Sequence, residues 1–391
     1  MKLVILLLSA ALTGIPSPAP AEDKATAAVA AASSCNNEDQ TGVPVARLRA
    51  LARGFSLPGW TDRWPPRAPD ERMLAQLRTM GLTHVRLPLL LERLSPAFSG
   101  PAVIAQSLQQ TDHAVEILLQ LGYAVTLDMH PAERFQELHQ AEPDQGLAIL
   151  AEVWQRLATR YANTAPDRIF FEILNEPSVP SPIWLEQGPQ IVAIVRRAAP
   201  DHTIIYGPAF YQRYEALQAL TPLADPNIVY AFHFYDPMAF THQGQTWGRD
   251  PPPSVGRIPF PAGLADIEPL IRRLQQQGQS EAAESLSEQF REPWTPQTID
   301  RIFAGVADWA ASHARPVIVN EFGVLSFRAD PQSRAAWIRA VRTAAERYCI
   351  GWTHWEYADG FGFVRRTGSR ETIDPVVGPA LTAPLGSTPV P

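Results

Sequence analysis

Short apolar runs alternate with amphipathic segments from about residue 54 to residue 357. Seven of these runs are rich in β-branched or aromatic residues, and a weaker one precedes them. The runs lie at 54–60, 84–89, 124–130, 169–177, 203–208, 228–236, 316–323 and 351–357. Several are continuously apolar, which is typical of parallel strands buried on both faces. The pattern therefore predicts eight parallel β-strands.

Amphipathic helices are predicted between most of these strands. In "DERMLAQLRTMG" (70–81) the apolar residues share one face, Asp70 is a candidate N-cap and Gly81 a candidate stop. Similar segments lie at 111–122, 147–161 and 333–348. Eight strand–helix units in series predict an α/β fold of the closed (β/α)₈ type, a TIM barrel, in a single catalytic domain.

The interval between the sixth and seventh strands is much longer than the others. Its last part, from Thr298, has the pattern of the expected sixth helix. Residues 241–296 are therefore predicted to be a partly helical insertion between strand 6 and helix 6. Long structured loops at that rim of a barrel usually shape a substrate cleft.

The N-terminus has the pattern of an export signal. Lys2 precedes the apolar "LVILLLSAALTGI", and "APA" at 19–21 supplies small residues for cleavage. The apolar run is too short for a stable membrane span. We expect a signal peptide over 1–21, a flexible leader over 22–44, a barrel domain over 45–380 and a frayed tail from Gly378. The mature protein would be secreted or periplasmic, without membrane contact.

Composition and charge exclude several classes of partner. The 391 residues are 46% hydrophobic and 19% charged, which is ordinary for a globular protein with a large core. The net charge of −7 gives no reason to expect nucleic acid or anionic lipid, and a monomer is expected. Cys35 and Cys349 can pair in an exported chain, with two unpaired thiols as the alternative. Two cysteines without a histidine cluster do not indicate zinc.

Polar side chains stand at the ends of most predicted strands. In strand order they are Arg86, His130, Asn175 with Glu176, His233 with Tyr235, Glu321 and Trp355. The C-terminal ends of the strands in such a barrel meet at one rim, where the active site lies. These residues are therefore expected to converge although the sequence separates them widely.

Two of these residues form a pair with a specific chemistry. "FEILNEP" (171–177) and "VIVNEFG" (317–323) each end an apolar run in Asn-Glu, so Glu176 and Glu321 should face each other across the barrel mouth. Glycoside hydrolysis needs two carboxyl groups, one to protonate the leaving oxygen and one to attack the anomeric carbon or activate water. Their mutual repulsion would raise the pKa of one and keep it protonated. We find no metal-ligand spacing, and no cofactor is expected.

The chain from about 50 to 365 resembles glycoside hydrolase family 5 of clan A, the cellulase-type retaining β-glycanases. The resemblance rests on "HVRLPL", "LDMH", "FEILNEP", "FHFYDP", "NEFG" and "WTHWEY", which occur in that order. It implies that Glu176 is the general acid/base and Glu321 the nucleophile. It also implies that Asn175, His130 and Trp355 contact the sugar. Arg86 and Tyr235 would support Glu321, and His233 would lie beside the carboxylates. The family often has two successive histidines after strand 3, whereas Pro131 follows His130 here.

The resemblance implies an exported enzyme that cleaves internal β-1,4-glucosidic bonds of a β-glucan. Two alternatives stay open: the same chemistry on another β-glycan (mannan, xyloglucan, mixed-linkage glucan or a glucan that the cell itself secretes), and a sugar-binding barrel without catalysis. Glu172 and Asp128, which lie deeper in their strands, are expected to be structural. Trp60, Trp64 and Trp247 are candidates either for outer sugar platforms or for packing.

Overall fold

The computed structural model describes residues 42–247 and 251–383. The predicted signal peptide, nearly all of the leader and Cys35 lie outside the described residues. Cys349 is disulfide-bonded. Among the described helices, none combines the length and the apolar character that a membrane span requires.

Eight parallel strands close into a barrel in sequence order, so the fold prediction is confirmed. The strands are β1 (Arg53–Ser56), β2 (His84–Leu90), β3 (Ala124–His130), β4 (Ile169–Glu172), β5 (Ile204–Tyr206), β6 (Ile228–Phe234), β7 (Val317–Phe322) and β8 (Gly351–His354). Each lies within or beside one of the predicted apolar runs. Nearly all of their residues are buried, as expected for strands between a packed interior and a ring of helices.

The described helices precede, connect and follow these strands. They are α1 (Val45–Ala50), α2 (Glu71–Thr79), α3 (Leu91–Leu94), α4 (Pro101–Gln120), α5 (Glu133–Ala141), α6 (Pro143–Tyr161), α7 (Ser181–Ala198), α8 (Tyr214–Gln218), α9 (Met238–Thr241), α10 (Leu264–Gln276), α11 (Ser280–Gln289), α12 (Pro296–His313), α13 (Pro331–Arg347) and α14 (Val377–Thr382). Helix α2 begins as predicted, because the Asp70 carboxylate accepts a hydrogen bond from the Arg72 backbone N–H.

The predicted insertion after strand 6 contains α10 and α11, which precede the sixth barrel helix, α12. Helix α10 buries one apolar face formed by Ile267, Leu270, Ile271 and Leu274, which fixes it to the rest of the fold. The prediction of a frayed tail is wrong at its start. Helix α14 covers Val377–Thr382, and its apolar side chains are buried because they pack against α13. An antiparallel hairpin, β9 (Val364–Thr367) and β10 (Arg370–Ile373), was not predicted.

The barrel interior is apolar at its lower end and polar at the mouth. Alternate residues of a strand face inward, so each strand contributes one inward residue to each layer. The lower layer includes Phe170, Ile205, Val229 and Ile318. The layer above it includes Arg86, Asp128, Glu172 and Asn320, all buried. A buried network of charged and polar side chains therefore lies at the C-terminal ends of the strands.

Candidate active site

Arg86 on β2 is the centre of the polar layer. Its guanidinium donates two hydrogen bonds of 2.7 and 2.8 Å to the Glu172 carboxylate, and a third of 2.8 Å to the Asn175 side-chain oxygen. It also lies 2.5 Å from Glu321 and 3.0 Å from Asp128. The guanidinium is fully buried, and the carboxylates around it raise its pKa even though burial alone would lower it. Arg86 therefore stays charged and holds the carboxylates in fixed positions.

Glu321 reaches this network because β7 contains a bulge. The pairing of β6 with β7 shifts register between Phe232 and His233, so that Glu321 lies opposite His233. As a result Asn320 and Glu321, although adjacent, both point into the barrel. The Asn320 Nδ2 donates to Glu172 (2.7 Å), and Glu321 accepts from Arg86. A regular strand would send one of the two side chains outward.

A different feature of the backbone, a left-handed residue, brings Glu176 to the mouth of the barrel. Strand β4 ends at Glu172, and Glu176 has a left-handed conformation with φ 44°. Few residues with a side chain adopt this conformation, and it recurs at functional sites. The Gln212 side-chain oxygen accepts a hydrogen bond of 2.8 Å from the Glu176 backbone N–H and so holds the turn.

His233 lies between the two candidate catalytic carboxylates. Its Nδ1 is 2.9 Å from a Glu176 oxygen and 3.5 Å from a Glu321 oxygen. One donor atom from each of the three residues lies within 4.8 Å of the other two. By donor type the three groups could also ligate a metal ion, but the Arg86 guanidinium at Glu321 already supplies positive charge there. Carboxyl groups this close suit direct attack on a sugar, since the route through an interposed water requires about 6.5–9.5 Å.

The pKa of Glu176 does not follow the prediction from the sequence, in which repulsion between the two carboxylates raises one pKa. Burial would raise the pKa of Glu176, but the hydrogen bond and charge of His233 outweigh it and lower that pKa. Conversely, burial would lower the pKa of His233, and Glu321 together with Glu176 raises it. Repulsion from Glu321 is therefore not the dominant influence on Glu176. His233 and Glu176 thus form a hydrogen-bonded pair in which each partner favours the charged form of the other.

Tyr235, His130 and Trp355 complete the mouth. The Tyr235 hydroxyl donates a 3.0 Å hydrogen bond to Glu321, and burial with the neighbouring carboxylates raises the pKa of Tyr235 well above its usual value. His130 Nδ1 lies 2.8 Å from Asp128, whose charge outweighs burial and raises the pKa of His130 to about 9. The His130 ring lies nearly parallel to Trp355, with centroids 5.7 Å apart. The indole forms one wall of the site.

All eight side chains singled out in the sequence converge at this mouth. Among the residues expected to be structural, Glu172 and Asp128 both bind Arg86 inside the barrel. Asn320, which had no expected role, holds Glu172. Gln212 was missed, because a glutamine after a short strand carries no sequence signal of its own. Of the candidate outer platforms, Trp60 is buried, whereas Trp64 and Trp247 are exposed.

Replacing Arg86 by methionine should destabilise the fold strongly, because Asp128, Glu172 and Glu321 would lose their shared cation. Breaking a buried ion pair on one side costs about 3–5 kcal/mol, and we expect a loss in that range at pH 7. The loss should shrink near pH 4, because burial raises the pKa of the Glu172 carboxylate and lets it take up a proton once the cation is gone. Urea unfolding at the two pH values measures both effects.

Arg365→Met is the matched control for this change. Arg365 pairs with Asp374 at 2.8 Å, but its side chain is 57% exposed. Such a pair contributes about 1 kcal/mol or less. Equal losses in the two variants would contradict the role assigned to Arg86.

Glu356, which lies beside the site, makes the free energy of unfolding depend on pH. It follows Trp355 through a cis peptide bond, and burial raises its pKa to about 8, with a further contribution from Asp359. The folded protein thus holds a proton that the unfolded chain releases near pH 4.5. Stability from this group is complete below pH 4.5 and is lost as pH rises to about 8, by roughly 4 kcal/mol.

Glu356→Gln should remove this dependence, because glutamine keeps the shape and stays neutral. The variant should lie within about 1 kcal/mol of the wild type near pH 5 and exceed its free energy of unfolding by roughly 4 kcal/mol at pH 8. Urea unfolding at both pH values is the measurement. Glu268→Gln, at an exposed carboxylate on α10, should show no such gain. A gain for Glu356→Gln that is equal at pH 5 and pH 8 would refute the account.

The fold is an eight-stranded α/β barrel with two carboxyl groups at its mouth, and comparison with known proteins gives its family. The sequence matches Cellulase (glycosyl hydrolase family 5) over residues 39–360. The chain therefore belongs to glycosyl hydrolase family 5, as the sequence motifs indicated.

Individual relatives are distant. Endoglucanase 3 of Fibrobacter succinogenes is 28% identical over 274 residues, which cover 68% of this chain and 41% of that protein. Endoglucanase C of Acetivibrio thermocellus is 25% identical over 318 residues, 78% of this chain and 90% of the other. The chain thus spans less than half of the first relative. The crystal structure of endoglucanase Cel5A from Thermotoga maritima superposes with a TM-score of 0.69 at 24% identity, covering 86% of this chain and 98% of that one.

Proposed function

We propose that this protein is an exported retaining β-glycanase that cleaves internal β-1,4-glucosidic bonds of a β-glucan. The observation that carries the proposal is the approach of Glu176, His233 and Glu321 within 4.8 Å at the barrel mouth. That spacing suits the retaining mechanism, in which the carboxyl groups lie about 5–5.5 Å apart. The names of the endoglucanase relatives support the substrate class, and the N-terminal sequence pattern supports export.

In the first step Glu321 attacks the anomeric carbon, and Glu176 gives a proton to the glycosidic oxygen as that bond breaks. Arg86 and Tyr235 each donate a hydrogen bond to the Glu321 carboxylate and hold it in position. The proton that Glu176 transfers comes from the hydrogen-bonded pair that it forms with His233. Once Glu321 is esterified, it carries no negative charge and no longer favours the protonated form of His233.

In the second step Glu176 takes a proton from water, which attacks the same carbon and releases Glu321. Asn175 is held by Arg86 and stands beside His130, at a position suited to a sugar hydroxyl. Trp355 supplies a flat apolar wall against which a sugar ring can pack. The protein thus needs no cofactor for either step.

A panel of soluble β-glycans tests the substrate. We expect reducing-sugar release from β-1,4-glucan such as hydroxyethyl cellulose, with mannan, xyloglucan and mixed-linkage glucan as comparators. Preference for a comparator would replace the glucan assignment and keep the chemistry. Binding of a glycan without release of sugar would instead favour a non-catalytic barrel.

A further inference from the structure

A cavity of about 540 Å³ lies between the loops that follow β7 and β8 and the hairpin β9–β10. The loop after β1 adds Arg67 to its wall. The volume falls in the range of about 300–1,000 Å³ that is usual for small-molecule sites. None of the eight side chains that meet at the catalytic mouth is among the described residues that line it. The cavity can therefore hold a ligand of its own.

The wall of this cavity is cationic. Its charged side chains are Arg67, Arg334, Arg365 and Arg366, against Asp359 and Asp374. Four positive and two negative charges leave the wall at +2, whereas the whole chain carries −7. Glu371 does not line the cavity but pairs with Arg366, and the balance stays positive when it is counted. A positive cavity in an acidic protein favours an anionic ligand.

Arg334 is the least compensated of these cations. It is only 3% exposed, and its guanidinium donates hydrogen bonds to the backbone oxygens of Val324, Phe361 and Gly362. No carboxylate of the described residues forms an ion pair with it. Asp374 acts only at longer range, and burial lowers the pKa of Arg334 to about 10. A buried guanidinium without an anionic partner is costly, and an anion in the cavity would supply that partner.

Arg67 and Arg365 are the accessible cations of the wall. Their side chains are 43% and 57% exposed, and each forms an ion pair of 2.8 Å, with Asp359 and Asp374 respectively. A guanidinium has five N–H donors, so each of these arginines keeps donors for a second oxyanion. Its planar fork matches the oxygens of carboxylate and phosphate groups. Three such groups around one cavity therefore suit a ligand that carries these oxygens.

The loop after β8 forms a wall of both the cavity and the catalytic mouth. The Phe361 backbone oxygen accepts a hydrogen bond from Arg334, on the cavity side. The ring of the same residue lies 5.9 Å from the ring of Tyr235, which donates a hydrogen bond to Glu321. Trp355 stands at the start of this loop. A substituent on a sugar bound at the mouth would therefore have only this loop to pass.

We propose that this cavity is a binding site for an anion with carboxylate or phosphate groups, held by Arg67, Arg334 and Arg365. Two sources present that chemistry: an acidic substituent on the bound glycan, and a free small anion. Only the first source rests on the proposed glycanase function. An anion bound here joins the loops after β1, β7 and β8 to the hairpin, so it stabilises the folded protein.

Thermal unfolding tests the binding. Inorganic phosphate and citrate are added at constant ionic strength, with sodium chloride as the reference. The Tm of the wild type should rise with either anion and then level off, because the ligand binds only the folded protein. Chloride alone should give no such rise.

The variant for this test is Arg67→Met with Arg365→Met, which removes two exposed cations whose ion pairs add little stability. The phosphate concentration at half effect should increase at least about tenfold, because charge-assisted hydrogen bonds to two arginines are lost. Arg272→Met with Arg301→Met is the matched control. It makes the same change of charge at two exposed ion pairs that do not line the cavity, and it should respond to phosphate as the wild type does. Circular dichroism checks that each variant is folded, and Arg67→Met alone repeats the test if the double variant is not.

Two soluble cellulose derivatives distinguish the sources of the anion. Carboxymethyl cellulose carries carboxylates, whereas hydroxyethyl cellulose is neutral. If the glycan presents the anion, the Arg67 and Arg365 variant should lower the ratio of kcat/KM on the carboxymethyl to the hydroxyethyl polymer roughly tenfold. The Arg272 and Arg301 control should keep that ratio. An unchanged ratio together with a lost response to phosphate identifies a free anion as the ligand.

The remaining outcomes overturn one statement each. A Tm that follows ionic strength alone, together with an unchanged ratio, overturns the anion site. Equal effects in the two double variants also overturn it, since general charge would then explain them. A wild type that binds phosphate but hydrolyses neither cellulose contradicts the proposed glycanase function and leaves the anion site in place.

Discussion

Replacing Glu321 by alanine should reduce hydrolysis of the preferred glycan by on the order of 10⁵-fold, the largest effect that we expect. The alanine variant lacks the atom that forms the covalent bond, and the remaining groups cannot compensate, since Glu176 is engaged with His233. Reducing-sugar release by a highly purified sample measures the loss. Binding of the glycan should persist, because Trp355 and His130 are untouched.

Azide distinguishes loss of the nucleophile from loss of structure. The alanine leaves space where the carboxylate stood, so azide should attack a β-disaccharide fluoride from that face. The product should be the α-glycosyl azide, made without a covalent enzyme intermediate. Hydrolysis that survives in Glu321→Ala would contradict the assigned role, as would formation of the β-azide by this variant.

Replacing Glu176 by alanine should lower activity on the polymer by about 10²–10⁴-fold, the usual contribution of a general acid/base. The loss should depend on the leaving group. A sugar hydroxyl needs protonation as it departs, whereas fluoride or a dinitrophenolate departs readily without that proton. The first step on such activated substrates should therefore be almost normal, followed by slow hydrolysis of the Glu321 ester. Stopped-flow measurement should show a burst and then a slow steady rate.

Azide also tests the role of Glu176, and here the expected product has the opposite stereochemistry. Here it attacks the sugar already bound to Glu321, so the product should be the β-glycosyl azide and the steady rate should rise. A Glu176→Ala variant with equal losses on the polymer and on the activated substrates would contradict the assignment. His233→Ala should show a milder form of the polymer defect, because Glu176 would lose its 2.9 Å hydrogen-bond partner.

The barrel could be predicted because its signals are local. Continuous apolar runs, an Asp70 cap and apolar helix faces recur along the chain, and each follows from residues within one turn or strand. The short hairpin β9–β10 and helix α14 escaped prediction. Their stability comes from contacts with distant segments, such as the hydrogen bond from the Asp70 backbone N–H to Glu371 and the packing of α14 on α13.

The members of the site could be predicted, but not how the backbone aims them. Period-two alternation sends Asn320 and Glu321 to opposite faces, and only the bulge opposite β6 turns both inward. The left-handed Glu176 depends on Gln212, which lies on another loop. The lowered pKa of Glu176 depends on His233 in the same way. Each is a property of two segments that meet only in the fold.

Mass spectrometry of a trapped intermediate tests the central claim most directly. A 2-deoxy-2-fluoro disaccharide fluoride of the preferred glycan slows both steps, and the good leaving group lets the first step proceed. The account predicts a protein heavier by one fluorinated disaccharide, with the label on the peptide that contains Glu321. An unlabelled protein that still hydrolyses the glycan, or a label on any other residue, would contradict it.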